Sequence, residues 1–391
     1  MRPLRAAIVP FYGARMLDGL VFGWRTAILT VVIAQLLAIA AALPRVLANR
    51  RANRTLAVLL LVLAGVLTPW LIGFAGFYDR WRWLTFAPLA HPLAVAPLLW
   101  CYVHALVSGR CPARAWRHAV VPGTYAVFMT AGFLLPMPAK QAWADRVLDG
   151  ATDVAWLGTA AGLAGYGLLG LRLLTRYRTL LAAQRSDDQR YAARWLSRAV
   201  GATLALLPVF AIYAVWNALA PLGYVALMGL HLAIAAFALY LAVEGWRHAA
   251  LRFPPIDALE PVPAPAAPAR DWRAQGEAWA ATVRAQGWAA DADLSLPVLA
   301  RRLGTNTAHL SRALNDGLGI GFSAFVNGLR CEAVAAAIDA GARADLLTMA
   351  LDAGFSSKAS FNRAFQARYG MTPSAYRRTS QIMNNGAEPS K

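Results

Sequence analysis

Seven long apolar blocks occupy residues 1–252 and limit what this chain can fold into. A helix needs about 20 apolar residues to cross the hydrocarbon core of a bilayer, and the blocks are close to that length. They are apolar all round rather than striped, which is typical of helices that satisfy their own backbone hydrogen bonds in lipid. We therefore predict seven membrane spans, at about residues 26–43, 56–77, 89–107, 119–135, 154–174, 199–219 and 224–243.

Composition divides the chain into a membrane half and a soluble half. Hydrophobic residues make up 58% of the sequence and charged residues only 15%, whereas soluble domains carry about 25% charged residues. The formal net charge is +18, but residues 270–391 hold 14 Lys and Arg against 10 Asp and Glu, a net charge of +4. Most of the positive charge therefore lies between the apolar blocks, where it indicates membrane topology and contact with lipid headgroups.

The loop arginines predict the orientation of the spans. The first, third and fifth loops carry most of them: Arg45, Arg50, Arg51 and Arg54; Arg110, Arg114 and Arg117; and Arg172, Arg176, Arg178, Arg185, Arg190, Arg194 and Arg198. Because arginine-rich loops stay in the cytoplasm, we expect the C-terminus inside and the N-terminus outside. The basic N-terminal tail, with Arg2, Arg5, Arg15 and Arg25, argues against this orientation for the first span. No cleavable signal peptide is evident, so the first block is expected to stay as an anchor.

Several polar side chains fall within or at the ends of the spans: Gln35, His91, His104, Tyr213, Asn217, His231, Tyr240 and Glu244. Polar groups in a membrane are often functional, but they also bond across helices. For these residues we favour a role in helix packing, with a ligand-binding site as the alternative. We find no paired carboxylates, nucleophile motif or metal cluster and predict no enzyme activity, no cofactor and no metal site. The cysteines Cys101, Cys111 and Cys331 match no metal spacing and indicate no disulfide framework.

A proline-rich segment separates the two halves. Residues 253–270, FPPIDALEPVPAPAAPAR, favour extended polyproline geometry, which predicts a linker and a domain boundary. In the next stretch, residues 271–286, Trp272, Trp279 and Val283 share one helical face. We predict a core helix of the C-terminal domain there, with a signalling or dimerising helix as the alternative.

Residues 294–318, LSLPVLARRLGTNTAHLSRALNDGL, predict a helix, a short turn and a second helix. Ser295 is placed to cap the first helix, Gly304 to end it, and Asn306 or Thr307 to cap the second. The inward apolar positions are Leu296, Leu299, Leu303, Leu310 and Leu314. The outward positions of the second helix carry small or hydrogen-bonding side chains suited to a DNA major groove: Ala308, His309, Ser311, Arg312 and Asn315.

A second unit of the same kind follows about 50 residues later, after a long helix predicted over residues 322–340. The inward residues of the long helix are Phe325, Leu329 and Ile338, and Gly328 interrupts it. In the second unit the inward residues of the first helix are Leu346, Leu347 and Ala350, Gly354 forms the turn, and Phe355 enters the core. Ser356 or Ser357 is placed to cap the next helix, in which Phe361 and Phe365 form a buried pair four residues apart. The outward positions are Lys358, Ala359, Asn362, Arg363 and Gln366.

Three runs, LARRLGTNTAHLSRAL, FSAFVNGLRCEAV and AGFSSKASFNRAFQARYGMTPSAYRR, make residues 294–378 resemble the DNA-binding domain of AraC/XylS-family transcription regulators. The resemblance implies seven helices, two of them recognition helices in successive major grooves on one face of DNA. Transferred by position, the base-facing residues are Ala308, Ser311 and Arg312, then Lys358, Ala359, Asn362 and Arg363. Leu314 replaces the usual phenylalanine, and Gly328 is a second departure. An alternative stays open for the two arginines, which can contact phosphates or bridge to surface acids instead.

Together these observations predict an all-α chain, a polytopic membrane helix bundle followed by two helix-turn-helix units joined by a long helix. The predicted domains are a membrane-spanning sensor (1–252), the linker (253–270) and a tandem helix-turn-helix domain (271–391). The predicted function is a bacterial transcription regulator embedded in the inner (cytoplasmic) membrane, with its C-terminal domain in the cytoplasm. The expected partners are double-stranded promoter DNA, membrane lipid, a small-molecule or membrane signal, and a second copy in a homodimer. The alternatives are a transporter or membrane enzyme with an accessory helix-turn-helix domain, and spans that only anchor.

Overall fold

The computed structural model describes residues 20–81, 83–84, 87–220, 225–259 and 271–386. Across these ranges the chain is helical, with no β-strand and one isolated β-bridge between Arg185 and Ser295. The predicted all-α fold is therefore confirmed.

Each of the seven apolar blocks contains a helix. These helices are α1 (Trp24–Ala42), α2 (Arg50–Phe74), α3 (Val95–Ser108), α4 (Val120–Leu134), α5 (Asp149–Gln184), α6 (Arg194–Leu219) and α7 (Met228–His248). By length and composition, α1, α2, α5, α6 and α7 can cross a membrane. With 14 and 15 residues, α3 and α4 are shorter than the roughly 20 residues that a span needs. The count of seven spans thus stays a prediction.

Leucines hold the first helices together. Leu29 and Leu36 of α1 and Leu56 and Leu60 of α2 are fully or almost fully buried. On the outward side of the same helices lie large apolar side chains, among them Val31 and Leu61. Apolar groups on both the inner and the outer face are typical of helices that have lipid as their solvent.

The chain divides into two compact units that differ from the predicted linear division in one segment. One unit comprises Met1–Arg172 and Arg194–Phe253, and the other comprises Leu173–Ala193 and Pro254–Lys391. The prediction assigned Leu173–Ala193 to the membrane half. Leu173–Ala193 belongs to the C-terminal unit, and its polar residues Ser186, Asp187 and Asp188 are buried.

The predicted linker is only partly described, since residues 260–270 lie outside the described ranges. Its first part does not run as an extended spacer. Residues Ile256–Ala258 form a short 3-10 helix, and the side chains of Ile256 and Leu259 are buried. Burial of these two apolar side chains explains why this part of the segment is packed despite its prolines.

The C-terminal unit contains α8 (Trp272–Ala285), α9 (Leu296–Arg302), α10 (Thr307–Arg312), α11 (Phe322–Asp339), α12 (Leu346–Asp352), α13 (Lys358–Tyr369) and α14 (Pro373–Gly386). They enclose two apolar cores. The first includes Val283, Leu299, Leu310, Leu314 and Phe325, and the second includes Ile338, Ala350, Phe355, Phe361 and Phe365. The first half of α11 contributes to one core and the second half to the other, so one helix joins the two helix-turn-helix units.

Most of the predicted turn and core positions hold, with two corrections. Asn306 and Ser357 cap α10 and α13 with side-chain hydrogen bonds. Ser295 stands at the N-cap position of α9 in extended conformation, but its side chain makes no capping bond. Leu347 is exposed rather than inward, because Met349 occupies the inward position of α12.

Candidate nucleic-acid interface

The first candidate reader, meaning the first candidate DNA-recognition helix, is α10 together with the turn that follows it. The Asn306 side chain accepts a hydrogen bond from the backbone N–H of His309 at 2.8 Å and so fixes the start of the helix. After Arg312 the backbone widens into one π-helical turn, Ala313–Gly317. Asn315 is exposed on this turn, and its amide donates to the Ser311 hydroxyl at 3.1 Å.

The His309 side chain packs against α8 instead of projecting freely into solvent. Its ring lies 5.5 Å, centre to centre, from the Trp272 ring of α8. Ala308, Ser311 and Arg312 are partly exposed. The first reader therefore presents Arg312 and Asn315 as its long polar side chains, while His309 is shared between the surface and α8.

Helix α8 supports the end of the first reader. A Cβ atom on Gly276 would lie 2.9 Å from the Ala313 carbonyl oxygen, and one on Gly317 would overlap the backbone of Trp272. The two glycines thus permit the close approach of α8 to the turn after α10. Val283 is fully buried and Trp279 packs against the same core, so α8 is a core helix, as predicted.

The second candidate reader is α13. Its five predicted outward residues, Lys358, Ala359, Asn362, Arg363 and Gln366, are all exposed. On the opposite side Phe361 and Phe365 are buried, with ring centres 5.5 Å apart. The alternation of a polar outer face and an aromatic inner face was predictable from the i, i+4 spacing.

An aromatic cluster fixes α13 against its neighbours. Phe365 lies 5.4 Å from Tyr376 of α14 and Phe361 lies 5.3 Å from Phe355, measured between ring centres. The Tyr376 hydroxyl also donates to an Asp339 carboxylate oxygen at 3.0 Å, which connects α14 to the end of α11. Edge and tilted aromatic pairs of this kind add about 0.5–1.5 kcal/mol each beyond burial. The second reader is therefore held rigidly.

Arg363 has a partner that sequence analysis did not anticipate. Its Nη2 donates to the Gln189 side-chain oxygen at 3.1 Å. The alternative weighed for this arginine was a bridge to a surface acid, whereas the partner shown by this bond is a neutral amide from the segment between α5 and α6.

Within the described ranges, Arg330 of α11 is the largest side chain that is fully buried, and the sequence alone suggested no role for it. It is 1% exposed, and it donates to the backbone oxygens of Ala289 and Asp291, both at 2.7 Å. It also donates to Asn327 and Ser186, both at 3.1 Å. Burial lowers the pKa of the Arg330 guanidinium to about 10, while Asp187 and Asp291 act in the opposite direction. Arg330 directly follows Leu329, which was predicted to face inward, and this position next to the inward face was the available signal.

Surface ion pairs neutralise part of the positive charge of the C-terminal unit locally. Glu332 pairs with Arg284 at 3.0 Å and with Arg368 at 2.9 Å. In the described part of the chain, no carboxylate pairs with Arg312 or Lys358 on the two readers. The cations that stay unneutralised by ion pairs thus include one from each reader.

A cavity of about 210 Å³ lies within the unit formed by residues 1–172 and 194–253. Its lining includes Trp70, Tyr125, Trp156, Phe210 and His231. The Nδ1 atom of His231 lies 2.9 Å from the Leu227 carbonyl oxygen. Because a carbonyl only accepts, Nδ1 carries the proton and Nε2 is left as an acceptor.

Other predicted polar residues of the membrane half make structural hydrogen bonds. Nδ1 of His104 contacts the Arg110 carbonyl oxygen at 3.0 Å, and the Tyr240 hydroxyl donates to the Trp195 carbonyl oxygen at 3.1 Å. Gln35 is exposed, and the Asn217 side chain lies outside the described part. No group of three or more His, Cys, Asp or Glu residues within the described ranges is arranged to hold a metal ion. These two contacts fit the packing interpretation.

Two helix-turn-helix units, each with its own core and joined by a shared helix, define a tandem helix-turn-helix domain. Residues 299–379 match the family described as a helix-turn-helix domain, and the C-terminal part of the chain is an AraC-type domain of this family. The predicted family resemblance is therefore confirmed for this domain.

Two similar proteins each match about a quarter of this chain or slightly less. A Staphylococcus aureus protein named an uncharacterized HTH-type transcriptional regulator is 41% identical over 86 residues, which is 22% of this chain and 11% of that protein. The transcriptional regulator Rob of Salmonella typhimurium is 34% identical over 99 residues, 25% of this chain and 34% of Rob. The chain thus spans about a tenth to a third of the length of these relatives. No solved structure gives a significant match.

Proposed function

We propose that this protein is a membrane-embedded transcription regulator that binds promoter DNA sequence-specifically through its two helix-turn-helix units. The observation that carries the proposal is the pair of polar-faced helices, α10 and α13, held at the two ends of α11 in an AraC-type domain. Both similar proteins are named transcriptional regulators, which supports the same function.

The exposed side chains of the two readers can contact both the DNA bases and the DNA backbone. Asn362 and Gln366 are exposed on α13 and carry amides that can pair with adenine edges. Arg312, Lys358 and Arg363 supply positive charge for guanine edges or phosphates. Ala308 and Ala359 offer small surfaces that let a helix approach a base. His309 contributes less, because its ring packs on Trp272.

The membrane half anchors the protein in the inner membrane as a multi-pass bundle, with the C-terminal domain in the cytoplasm. Support comes from five helices that are long and apolar enough to span and from the arginine-rich loops. The signal is an uncharged, largely apolar molecule with a hydrogen-bond donor, bound in the aromatic cavity with its donor on Nε2 of His231. Substituting His231→Phe should abolish signal-dependent expression from the target promoter and leave DNA affinity unchanged.

Chromatin immunoprecipitation with sequencing on the membrane-bound protein tests the proposal directly, because it requires occupancy of specific DNA from the membrane. Binding of a recovered fragment is then measured for the variant Asn362→Ala. Losing a bidentate base contact should weaken binding by about 1–3 kcal/mol, roughly 5- to 150-fold, with little change on unrelated DNA. Gln286→Ala, at an exposed glutamine after α8, is the matched control. Full sequence-specific affinity in the Asn362 variant would remove α13 as the reader.

A second copy of the chain is compatible with this function but is not required, since one chain carries both readers. Cross-linking in membranes, compared with the length of the DNA footprint, would establish whether two copies bind together. A footprint covering a single pair of adjacent major grooves would exclude a DNA-bound dimer.

A further inference from the structure

Residues 185–191, the docking segment, lie between α5 and α6, include the four-residue helix Asp188–Tyr191 and contain three buried polar residues in a row. Ser186, Asp187 and Asp188 are 3%, 4% and 8% exposed. Loops between helices usually lie at the surface, and buried polar groups require hydrogen-bond partners. The partners that the C-terminal helices provide show what this segment packs against.

Ser186 is enclosed by the first helix-turn-helix unit and by α11. Its hydroxyl donates to the Leu294 carbonyl oxygen at 2.8 Å and accepts from Arg330 at 3.1 Å. Its own carbonyl oxygen accepts from the Asn327 amide at 3.2 Å. The neighbouring residue Arg185 forms the isolated β-bridge with Ser295. The segment is therefore bound through backbone and side-chain groups together.

The two aspartates complete the contact in different ways. Asp187 forms a two-point ion pair with Arg185 inside the segment, at 2.7 and 3.0 Å. Asp188 accepts a hydrogen bond from the Ser323 hydroxyl of α11 at 2.9 Å. Both Asp188 and Ser323 are buried, so water does not compete freely for this bond.

Gln189 extends the contact to the second reader through its hydrogen bond from Arg363. Arg363 lies on the outward face of α13, among the residues assigned to DNA. One Nη2 group directed at Gln189 is not at the same time directed at a base or a phosphate. The docking segment and DNA thus compete for the same Arg363 side chain.

We propose that residues 185–191 are a docking surface for the AraC-type domain and that promoter DNA competes with this segment for the second reader. The inference rests on the proposed DNA-binding function. The contact is removable, because three of the four Arg330 hydrogen bonds, those to Ala289, Asp291 and Asn327, do not involve the docking segment. The segment continues directly from α5, which provides a covalent route from the membrane half.

Docking and DNA binding are thermodynamically linked, so a change in one equilibrium changes the other. If docking weakens DNA binding by some factor, DNA binding weakens docking by the same factor. Any signal that displaces α5 and favours undocking therefore increases DNA occupancy. The docked state is the low-affinity state.

The test uses the full-length protein in lipid nanodiscs and a duplex selected from a random-sequence library by that protein. The variant Asp188→Cys with Ser323→Cys, in a Cys111→Ser background, allows a disulfide to hold the segment docked. We expect the oxidised form to bind the duplex at least about tenfold more weakly than the reduced form. Separately, Gln189→Ala should bind about three- to tenfold more tightly than the wild type, because the docking segment loses one of its hydrogen bonds to the second reader. Gln286→Ala should match the wild type.

The outcomes separate this inference from the function on which it rests. If no disulfide forms under oxidising conditions, the docked arrangement is wrong. If the disulfide forms and both redox states bind the duplex equally, competition is refuted while DNA binding stands. If the reduced protein enriches no duplex, the proposed function fails and the competition fails with it. Weaker binding by Gln189→Ala would also overturn the inference.

Discussion

Arg330 connects three parts of the C-terminal unit through one guanidinium. It bonds to the turn before α9, to Asn327 on its own helix and to Ser186 of the docking segment, and it lies 5.7 Å from the Phe355 ring in the second core. A buried cation is tolerated only when its donors are satisfied. The planar fork of arginine reaches several acceptors at fixed angles, which a lysine cannot do.

Arg330→Lys should accordingly destabilise the C-terminal unit by about 2–4 kcal/mol, since a lysine ammonium cannot span the four acceptors that the guanidinium reaches. Hydrogen exchange of the α9 and α11 amides in the full-length protein would measure this as faster opening. Arg343→Lys, at an exposed position, is the control and should have no effect. Unchanged exchange in α11 would mean that Arg330 does not stabilise the core.

Cys331, the next residue, is a buried thiol whose pKa burial raises to about 12 from an ordinary 9.0, with Glu332 raising it further and Arg368 and Arg330 opposing. Between pH 9 and 12 the folded state holds this proton more tightly than the unfolded state. Stability from this group is therefore complete below pH 9 and is lost as pH rises towards 12.

The expected result is that iodoacetamide at pH 8.5 labels the exposed Cys111 and leaves Cys331 unlabelled until the C-terminal unit unfolds. Between pH 8.5 and pH 10.5 the wild-type unit should lose more stability than Cys331→Ala does. Peptide mapping by mass spectrometry gives the labelling, and equal pH slopes in the two proteins would contradict the assigned burial.

Helix α11 determines the spacing of the two readers. Phe325 and Leu329 are buried and lie four residues apart on one face, as helical spacing predicted. Ile338 was also predicted to be inward and is buried, but it lies nine residues after Leu329, on roughly the opposite face of the helix, where it packs in the second core. That its first and second halves serve different cores was not predictable from periodicity, which shows which face is inward but not which partner covers it. Ser295 illustrates the same limit, because a capping residue type does not ensure a capping bond.

Two glycines of this domain should respond oppositely to alanine. Gly328 lies inside α11, and a Cβ there would meet nothing within 4 Å, so Gly328→Ala should stabilise the unit by about 0.5–1 kcal/mol through helix propensity. Gly317→Ala forces a Cβ into the backbone of Trp272 and should displace α8 from the first reader. Hydrogen exchange of α8 and α11 distinguishes the two, and destabilisation by Gly328→Ala would show that close packing, rather than propensity, governs that position.

The parts of the molecule that could be predicted from the sequence are those with a local physical cause. Apolar length predicted where helices α1 to α7 lie, and helical spacing predicted the exposed face of α13. The docking segment could not be predicted, because the Ser186 contacts with Leu294 and Arg330 join residues more than 100 positions apart. In the sequence this segment has the polarity of an ordinary cytoplasmic loop, and only tertiary burial distinguishes it.

The charge distribution leads to a last prediction, on the salt dependence of DNA binding. Residues 270–391 carry a net charge of +4, and arginines such as Arg284 and Arg368 are already paired with Glu332. If about three to five cations reach phosphates, the slope of log K against log salt should be about −3 to −5. Titrating the selected duplex at 50–300 mM salt measures it, and Lys358→Ala should reduce the slope by about 1. A much steeper slope, near −8, would require arginines of the membrane-half loops to contact DNA as well, whereas a shallow slope leaves recognition to the polar side chains of the two readers.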